Sequence, residues 1–258
     1  MKKICIFLFS GTGMTKYVAN KISSGLAEKQ VHVDLYSIEN TVPWEIPIYD
    51  YDAIGIAYPV HAWNAPEIVV KFAKQLTKVR SMKAFIISTC GEAKSINFAS
   101  SKLLIKVLNQ KGFDVFYDNQ FAMPCNFMYK DNINDARAKI NAINEKVPQI
   151  TQDIMNHNVY RLQYDFVARV IAFLGRIEWS GRKWMRVLFR VDKSCNVCGK
   201  CVKSCPKNNI SIVTNQVSFG WSCELCARCF YVCPKRAIKV RQPFKFFSFE
   251  NWYDDDLF

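Results

Sequence analysis

The apolar positions of the first 155 residues fall into two alternating rhythms. KKICIFLF, residues 2–9, is a nearly unbroken apolar run, which suits a strand buried on both faces. TKYVANKISSGLAEK (15–29) spaces its apolar residues at helical intervals. VHVDLYSI (31–38) and YDAIGIAY (51–58) read as strands, and APEIVVKFAKQL (65–76) as a helix. MKAFIIST (82–89) is a fourth strand, NFASSKLLIKVLNQKG (97–112) a helix closing at Gly112, and FDVFYDNQFAM (113–123) a fifth strand. INDARAKINAINEKVPQITQDIMN (133–156) is helical despite Pro148. Strands alternating with helices predict a parallel α/β sheet with right-handed crossovers. Five strands fit a doubly wound sheet of order 2-1-3-4-5, with a ligand beside the switch point at the carboxyl ends of the strands.

The loop at that point is Ser10, Gly11, Thr12, Gly13, Met14 and Thr15. It follows the first strand and opens the first helix, where free N–H groups and the helix dipole favour an anion. Gly11 and Gly13 admit close backbone approach, and Ser10, Thr12 and Thr15 add hydroxyls. A dinucleotide fingerprint needs a small residue where Lys16 stands, and the Gly-Lys-Ser/Thr of a nucleotide-triphosphate loop is absent. A Ser/Gly/Thr turn also serves as a plain helix cap. The pattern resembles the phosphate loop of flavodoxins, which implies bound FMN. By that resemblance the flavin ring sits between the loops after strands three and four. Those loops carry Tyr58, Pro59, Val60, His61, Trp63 and Asn64, then Thr89, Cys90, Gly91 and Glu92. Trp63 or Tyr58 could stack on the ring, or simply pack into the core. The second loop lacks an aromatic before Phe98, a departure from the family that leaves one flavin face less covered. Met123–Phe127 at the same sheet edge could shield it. His61 and Cys90 are the candidate catalytic groups, His61 as a proton donor. Ordinary loop roles compete for both, and for Cys125. Cys5 reads as an inert core residue.

The rhythm changes after residue 190. Cys195, Cys198, Cys201 and Cys205 recur 28 residues later as Cys223, Cys226, Cys229 and Cys233, and Pro206 recurs as Pro234. Both copies read C-x2-C-x2-C-x3-C-P. Thiolates hold iron–sulfur clusters, and in this motif the fourth cysteine serves the other copy's cluster. Cys195, Cys198, Cys201 and Cys233 are therefore expected around one 4Fe–4S cluster, and Cys223, Cys226, Cys229 and Cys205 around the other. Zinc sites use four ligands in two pairs rather than eight in two Cys-Pro-closed runs. Disulfides lack the support of an N-terminal signal peptide. Residues 191–241 resemble the small α+β two-cluster ferredoxins of bacteria. The whole chain resembles the flavodoxin-domain, two-cluster ferredoxin fusions of anaerobic bacteria and archaea. That resemblance implies electron transfer between two 4Fe–4S clusters and FMN. The alternative is a ferredoxin-fed, FMN-dependent reductase of a small molecule.

Four segments follow: 1–158 binding FMN, a basic amphipathic connector 159–190, the ferredoxin unit 191–241, and an aromatic tail 242–258. The chain of 258 residues carries a formal charge of +13, and the residues from Val159 onward hold 17 Lys/Arg against 8 Asp/Glu. Cluster thiolates offset part of that excess. The connector is expected to pack between the domains. A docking face for an acidic redox partner and a seat on an anionic membrane surface are the other readings. Phe244, Phe246, Phe247 and Phe249 are expected to cover the seam between domains. No apolar run is long enough to span a membrane, no nucleic-acid motif appears, and a cytoplasmic location is expected.

Overall fold

The computed structural model describes residues 1–125, 127, 129–241 and 253, apart from the side chains of residues 185 and 186. The expected tail residues Phe244, Phe246, Phe247 and Phe249 lie outside the described residues, as does Asn126.

Strands β1 (Lys3–Leu8), β2 (His32–Ser37), β3 (Ala53–Pro59), β4 (Met82–Cys90) and β5 (Phe113–Ala122) pair in parallel in the order 2-1-3-4-5. The first strand shows why the apolar run is unbroken. Cys5 and Phe7 enter one core with Ile54, Phe72 and Leu104, while Ile4, Ile6 and Leu8 enter the other with Val18, Ile22 and Phe85. Each face is closed by two helices. Helices α2 (Glu67–Gln75) and α3 (Lys102–Gln110) cover the first, and α1 (Met14–Ala27) and α4 (Ile133–Met155) the second. Where the sequence reads helix from residue 97, residues 95–101 form a 3-10 turn and α3 begins at Lys102.

The sheet has six strands rather than five. Tyr160 and Arg161 form a short edge strand, β6, parallel to Tyr117 and Asp118 of β5. Arg161 caps this edge by donating Nη2–H to the Val115 carbonyl at 3.0 Å. The two-residue segment is too short for a period-two pattern, so its pairing leaves no signal in the sequence. Beyond it lie α5 (Phe166–Gly175), α6 (Ile177–Gly181) and a 3-10 stretch, Arg182–Leu188.

The C-terminal unit is small. Strand β7 (Phe189–Val191) pairs antiparallel with β10 (Ile238–Val240), and β8 (Ile210–Val213) with β9 (Gln216–Phe219). Two short helices, α7 (Lys200–Ser204) and α8 (Arg228–Tyr231), meet over a core of Phe189, Ile210, Phe230 and Ile238. Among the described residues no helix is long and apolar enough to cross a membrane.

Candidate functional site

The 28-residue repeat is repeated in the backbone. Val197 and Leu225 have φ of 55° and 50°, Gly199 and Ala227 74° and 59°, and Asn208 and Arg236 49° and 46°. Left-handed residues at such short intervals curl each loop, which turns successive sulfurs inward. A non-glycine residue in that region costs about 1–2 kcal/mol, so each loop needs compensation from whatever it encloses. The sulfurs also accept backbone N–H groups. Asn209 N–H donates to Cys205 Sγ and Ala237 N–H to Cys233 Sγ, both at 3.3 Å, and Leu225 N–H donates to Cys223 Sγ at 3.4 Å. Such donors favour a charged thiolate.

Two hollows result. One is lined by Cys195, Cys198, Cys201 and Cys233, the other by Cys205, Cys223, Cys226 and Cys229. Each therefore draws three cysteines from one repeat and the fourth from the other. Among the described residues no group of three or more His, Cys, Asp or Glu converges tightly enough for a single metal ion. The thiols instead line the two hollows, and their donor chemistry fits iron–sulfur ligation.

A third cavity, about 530 Å³, lies where the two units meet. That volume is within the range of small-cofactor sites. The phosphate-loop residues Ser10, Gly11, Thr12, Met14 and Thr15 line it, and Gly13 lines the adjoining mouth. Ser10 Oγ accepts the N–H groups of Gly13 (3.2 Å) and Lys16 (3.3 Å), leaving its own proton free for an anion. Gly13 at φ 103° turns the chain into α1. Thr15 and Thr89 join hydroxyls at 2.7 Å, tying the phosphate loop to the end of β4. The wall also carries apolar side chains, those of Val60, Trp63, Met123 and Phe127. Anion donors and an apolar stretch within one cavity fit FMN.

Of the other expected flavin residues, Pro59, Val60, His61, Trp63, Thr89, Cys90 and Gly91 line the cavity, with Pro124 and Cys125 beside them. Tyr58, Asn64 and Glu92 do not. β3 runs on to Pro59, so Tyr58 is a sheet residue with no exposed surface, and it cannot stack on a flavin. Asn64 is buried, and its Nδ2 donates to the carbonyls of Ala62 (2.9 Å) and Ala172 (2.7 Å). Glu92 turns outward to pair with Lys94. His61 is half-buried on the cavity wall. Burial, then the nearby Arg182 charge, push its pKa down to about 4, so the ring is neutral near pH 7. Burial pushes the Cys90 thiol up to about 12.

The connector and the second cysteine loop supply residues that the sequence did not disclose. Glu178, Gly181, Arg182, Leu225, Cys226 and Ala227 complete the wall. Gly11 is fixed by that approach, since a Cβ there would lie 2.0 Å from the Cys226 carbonyl oxygen. Arg228 crosses the same seam, donating to the Ser10 carbonyl at 2.6 Å and pairing with Glu39 at 2.6 Å. Arg182 is buried. Its Nε donates to the Cys223 carbonyl at 2.8 Å, and its guanidinium meets Glu67, Glu178 (3.9 Å) and Glu224 (3.3 Å). Tyr253 reaches the third loop, donating to the Cys125 carbonyl at 2.6 Å. An arginine buried from a connector carries no motif in the sequence.

Residues 5–117 match the family model described as a flavodoxin domain, and residues 188–234 match a 4Fe-4S dicluster domain. Solved structures with similar folds include flavodoxin 1 of Bacillus cereus, at 18% identity and a TM-score of 0.41, covering 61% of this chain and 99% of that one. A flavodoxin of Streptococcus pneumonia TIGR4 is 11% identical with a TM-score of 0.43, covering 60% and 97%. The rubredoxin oxygen:oxidoreductase of Desulfovibrio gigas is 15% identical with a TM-score of 0.43, covering 61% and 37%. No curated protein matches the chain by sequence.

Proposed function

We propose, from the premise that this chain is a flavodoxin domain followed by a 4Fe-4S dicluster domain, that its iron–sulfur and flavin electron-transfer role runs along one line through the molecule. The line joins a first cysteine cage, a second cage and the flavin cavity. When bound, two 4Fe–4S clusters exchange single electrons and FMN takes one or two, so the protein couples the two kinds of chemistry. The carrying observation is that Leu225, Cys226 and Ala227 belong to both the second cage and the flavin cavity wall.

The chain's own residues hold this line. Cys195, Cys198, Cys201 and Cys233 ligate the outer cluster, and Cys205, Cys223, Cys226 and Cys229 the inner one. The phosphate loop binds the FMN phosphate, and Val60, Trp63, Met123 and Phe127 enclose its ring. Residues 1–158 thus form the FMN unit and 191–241 the cluster unit. The connector, 159–190, closes the wall between them through Arg182. His61, half-buried in the cavity wall, is read as a positioning group. A carrier is the better-supported description, because the second cage and the flavin cavity share a wall. Its partner is a redox protein or small acceptor reached from the outer cage, where Cys198 is exposed.

The test is anaerobic stopped-flow on the holoprotein, following flavin reduction after the clusters are reduced. His61→Ala should leave the rate within about threefold, since no side-chain acid is required, whereas loss of a general acid costs roughly a hundredfold or more. A hundredfold loss in flavin reduction defeats the carrier reading.

A further inference from the structure

Helix α5 is packed inside out. Its small residues face the protein: Ala168 and Ala172 are buried against Ala99, and Gly175 is held so close that a Cβ would lie 2.1 Å from the Ala62 carbonyl oxygen. Its large residues face away. Phe166 is 74% exposed, Phe173 65% and, just past the helix, Ile177 70%. At 100° per residue, Phe166, Val170, Phe173 and Ile177 fall on one stripe opposite the buried alanines. A water-facing helix shows the reverse arrangement, and contiguous exposed apolar area marks a contact surface.

One edge of this stripe is cationic. Arg169 and Arg176 lie seven residues apart along it, and Lys102 at the start of α3 comes close enough for both guanidiniums to act on its ammonium. Burial first, then those two charges, hold the Lys102 pKa below its ordinary value. Among the described residues no acidic group pairs with any of the three. Arg176 lies over the Phe173 ring at 5.4 Å, and its Nε is buried with no hydrogen-bond partner. Three crowded, uncompensated cations beside a row of exposed aromatic and aliphatic side chains call for an apolar surface rimmed with anions. The acids of this region are already engaged. Asp165 caps α5 by accepting the Ala168 N–H, and Glu178 turns inward to Arg182.

We propose that the α5 face docks on an anionic membrane surface, with Phe166, Val170, Phe173 and Ile177 entering the headgroup–acyl boundary and Lys102, Arg169 and Arg176 binding lipid phosphates. Burying apolar side chains and pairing cations with anionic lipid act together in such interfacial helices. Because α5 rests on Ala62 and Asn64, docking brings the flavin loop to the lipid side of the molecule.

The test is co-sedimentation of the full-length holoprotein with vesicles. Vesicles of equal parts phosphatidylglycerol and phosphatidylcholine should bind at least about tenfold more protein than pure phosphatidylcholine. Arg169→Glu/Arg176→Glu and, separately, Phe166→Ser/Phe173→Ser should each lower anionic binding about tenfold or more. Lys21→Glu/Lys29→Glu, on α1 and just past its end, makes the same change in net charge and should stay within about twofold. Phe166, Arg169, Phe173 and Lys21 are exposed and Arg176 and Lys29 half-buried, and circular dichroism confirms folding of each variant. Equal binding to both vesicle types, or equal losses with the α1 variant, overturns the proposal. So does a concentration-dependent dimer that Phe166→Ser/Phe173→Ser abolishes, which assigns the face to a second copy. Failure to bind also overturns it, as when residues 242–258 cover the face. None of these outcomes touches the iron and flavin content on which the electron-transfer reading rests.

Discussion

The two cysteine loops share their spacing and their left-handed turns, yet they occupy different surroundings. The first, Ser194–Cys201, leaves Cys198 exposed and is flanked by Lys193, Lys200 and Lys203, all exposed. The second, Ser222–Cys229, is pressed against the phosphate loop through Gly11, held by Arg182 from the connector and followed by Arg228 into Ser10 and Glu39. Burial pushes the Cys226 thiol up to about 12. The cage is set by the repeat, whereas the role is set by what surrounds each copy. An outer cage with an exposed cysteine among lysines suits exchange with another molecule, and an inner one that shares the flavin wall suits delivery over a short, fixed distance.

The strongest way to break this comparison is to remove the residue each cage borrows. Cys205→Ala should cost the inner cage its fourth ligand and leave the outer three-cysteine loop with Cys233. Cys233→Ala should do the reverse. Each variant should lose about half of roughly eight irons, with electron paramagnetic resonance separating the two signals. Only Cys205→Ala should uncouple flavin reduction from the remaining cluster. If each variant instead loses the cluster of its own repeat, the crossed ligation is wrong.

The cages were legible in the sequence because ligand chemistry demands fixed spacings, and the hollows draw on the cysteines that the motif assigns. The sheet was legible for a related reason: a strand buried on both faces admits few polar residues, as Ile4–Leu8 shows. What stayed hidden depends on contacts distant in sequence. Tyr58 reads as a loop aromatic until β3 is seen to extend to Pro59. Arg182 reads as one more basic residue until three carboxylates gather on it. Gly11 reads as a phosphate-loop glycine, while the structure gives it a second partner in Cys226, 215 positions away. No local pattern encodes such a seam.

That seam gives the next largest effect. Gly11→Ala would drive a methyl group into the Cys226 carbonyl, and neither backbone can yield without parting the loops. Overpacking of this kind costs about 1–3 kcal/mol, so FMN should dissociate about tenfold more readily while iron content stays unchanged. Gly199→Ala in the outer loop meets only Ile212, at 4.0 Å, and carries the cost of φ 74° alone. It should destabilise the outer loop by about 1 kcal/mol and leave FMN affinity as it was. Titration of both variants with FMN, read by flavin fluorescence, measures the difference. Equal losses would mean that the seam does not hold the flavin.

The smallest expected effect is a difference of sign. Glu178 lies beside the inner cage, on the flavin wall, and Asp192 lies beside the outer one. Burial, opposed by Arg182 and reinforced by Glu224 and Glu67, pushes the Glu178 pKa up to about 7 from an ordinary 4.5. The folded chain therefore holds this proton more tightly than the unfolded chain does. Stability from Glu178 is present below the ordinary value and is lost as pH rises from about 4.5 through 7. Asp192 is the opposite case. Its hydrogen bonds from the Ser194 hydroxyl and N–H hold its pKa below the ordinary value. Its contribution is present above that value and is lost as pH falls through the folded one. Glu178→Gln removes the cost of ionising a buried carboxyl, so the variant should gain on the parent by about 1–2 kcal/mol at pH 8 relative to pH 5. Asp192→Asn should lose stability at pH 8 and converge on the parent only in acid. Anaerobic thermal unfolding of the holoproteins across that range, followed by flavin release, reads both. Parallel curves for Glu178→Gln and its parent would mean that Arg182 keeps Glu178 ionised throughout, and the inner seam would then carry a full ion-pair network rather than a titrating acid.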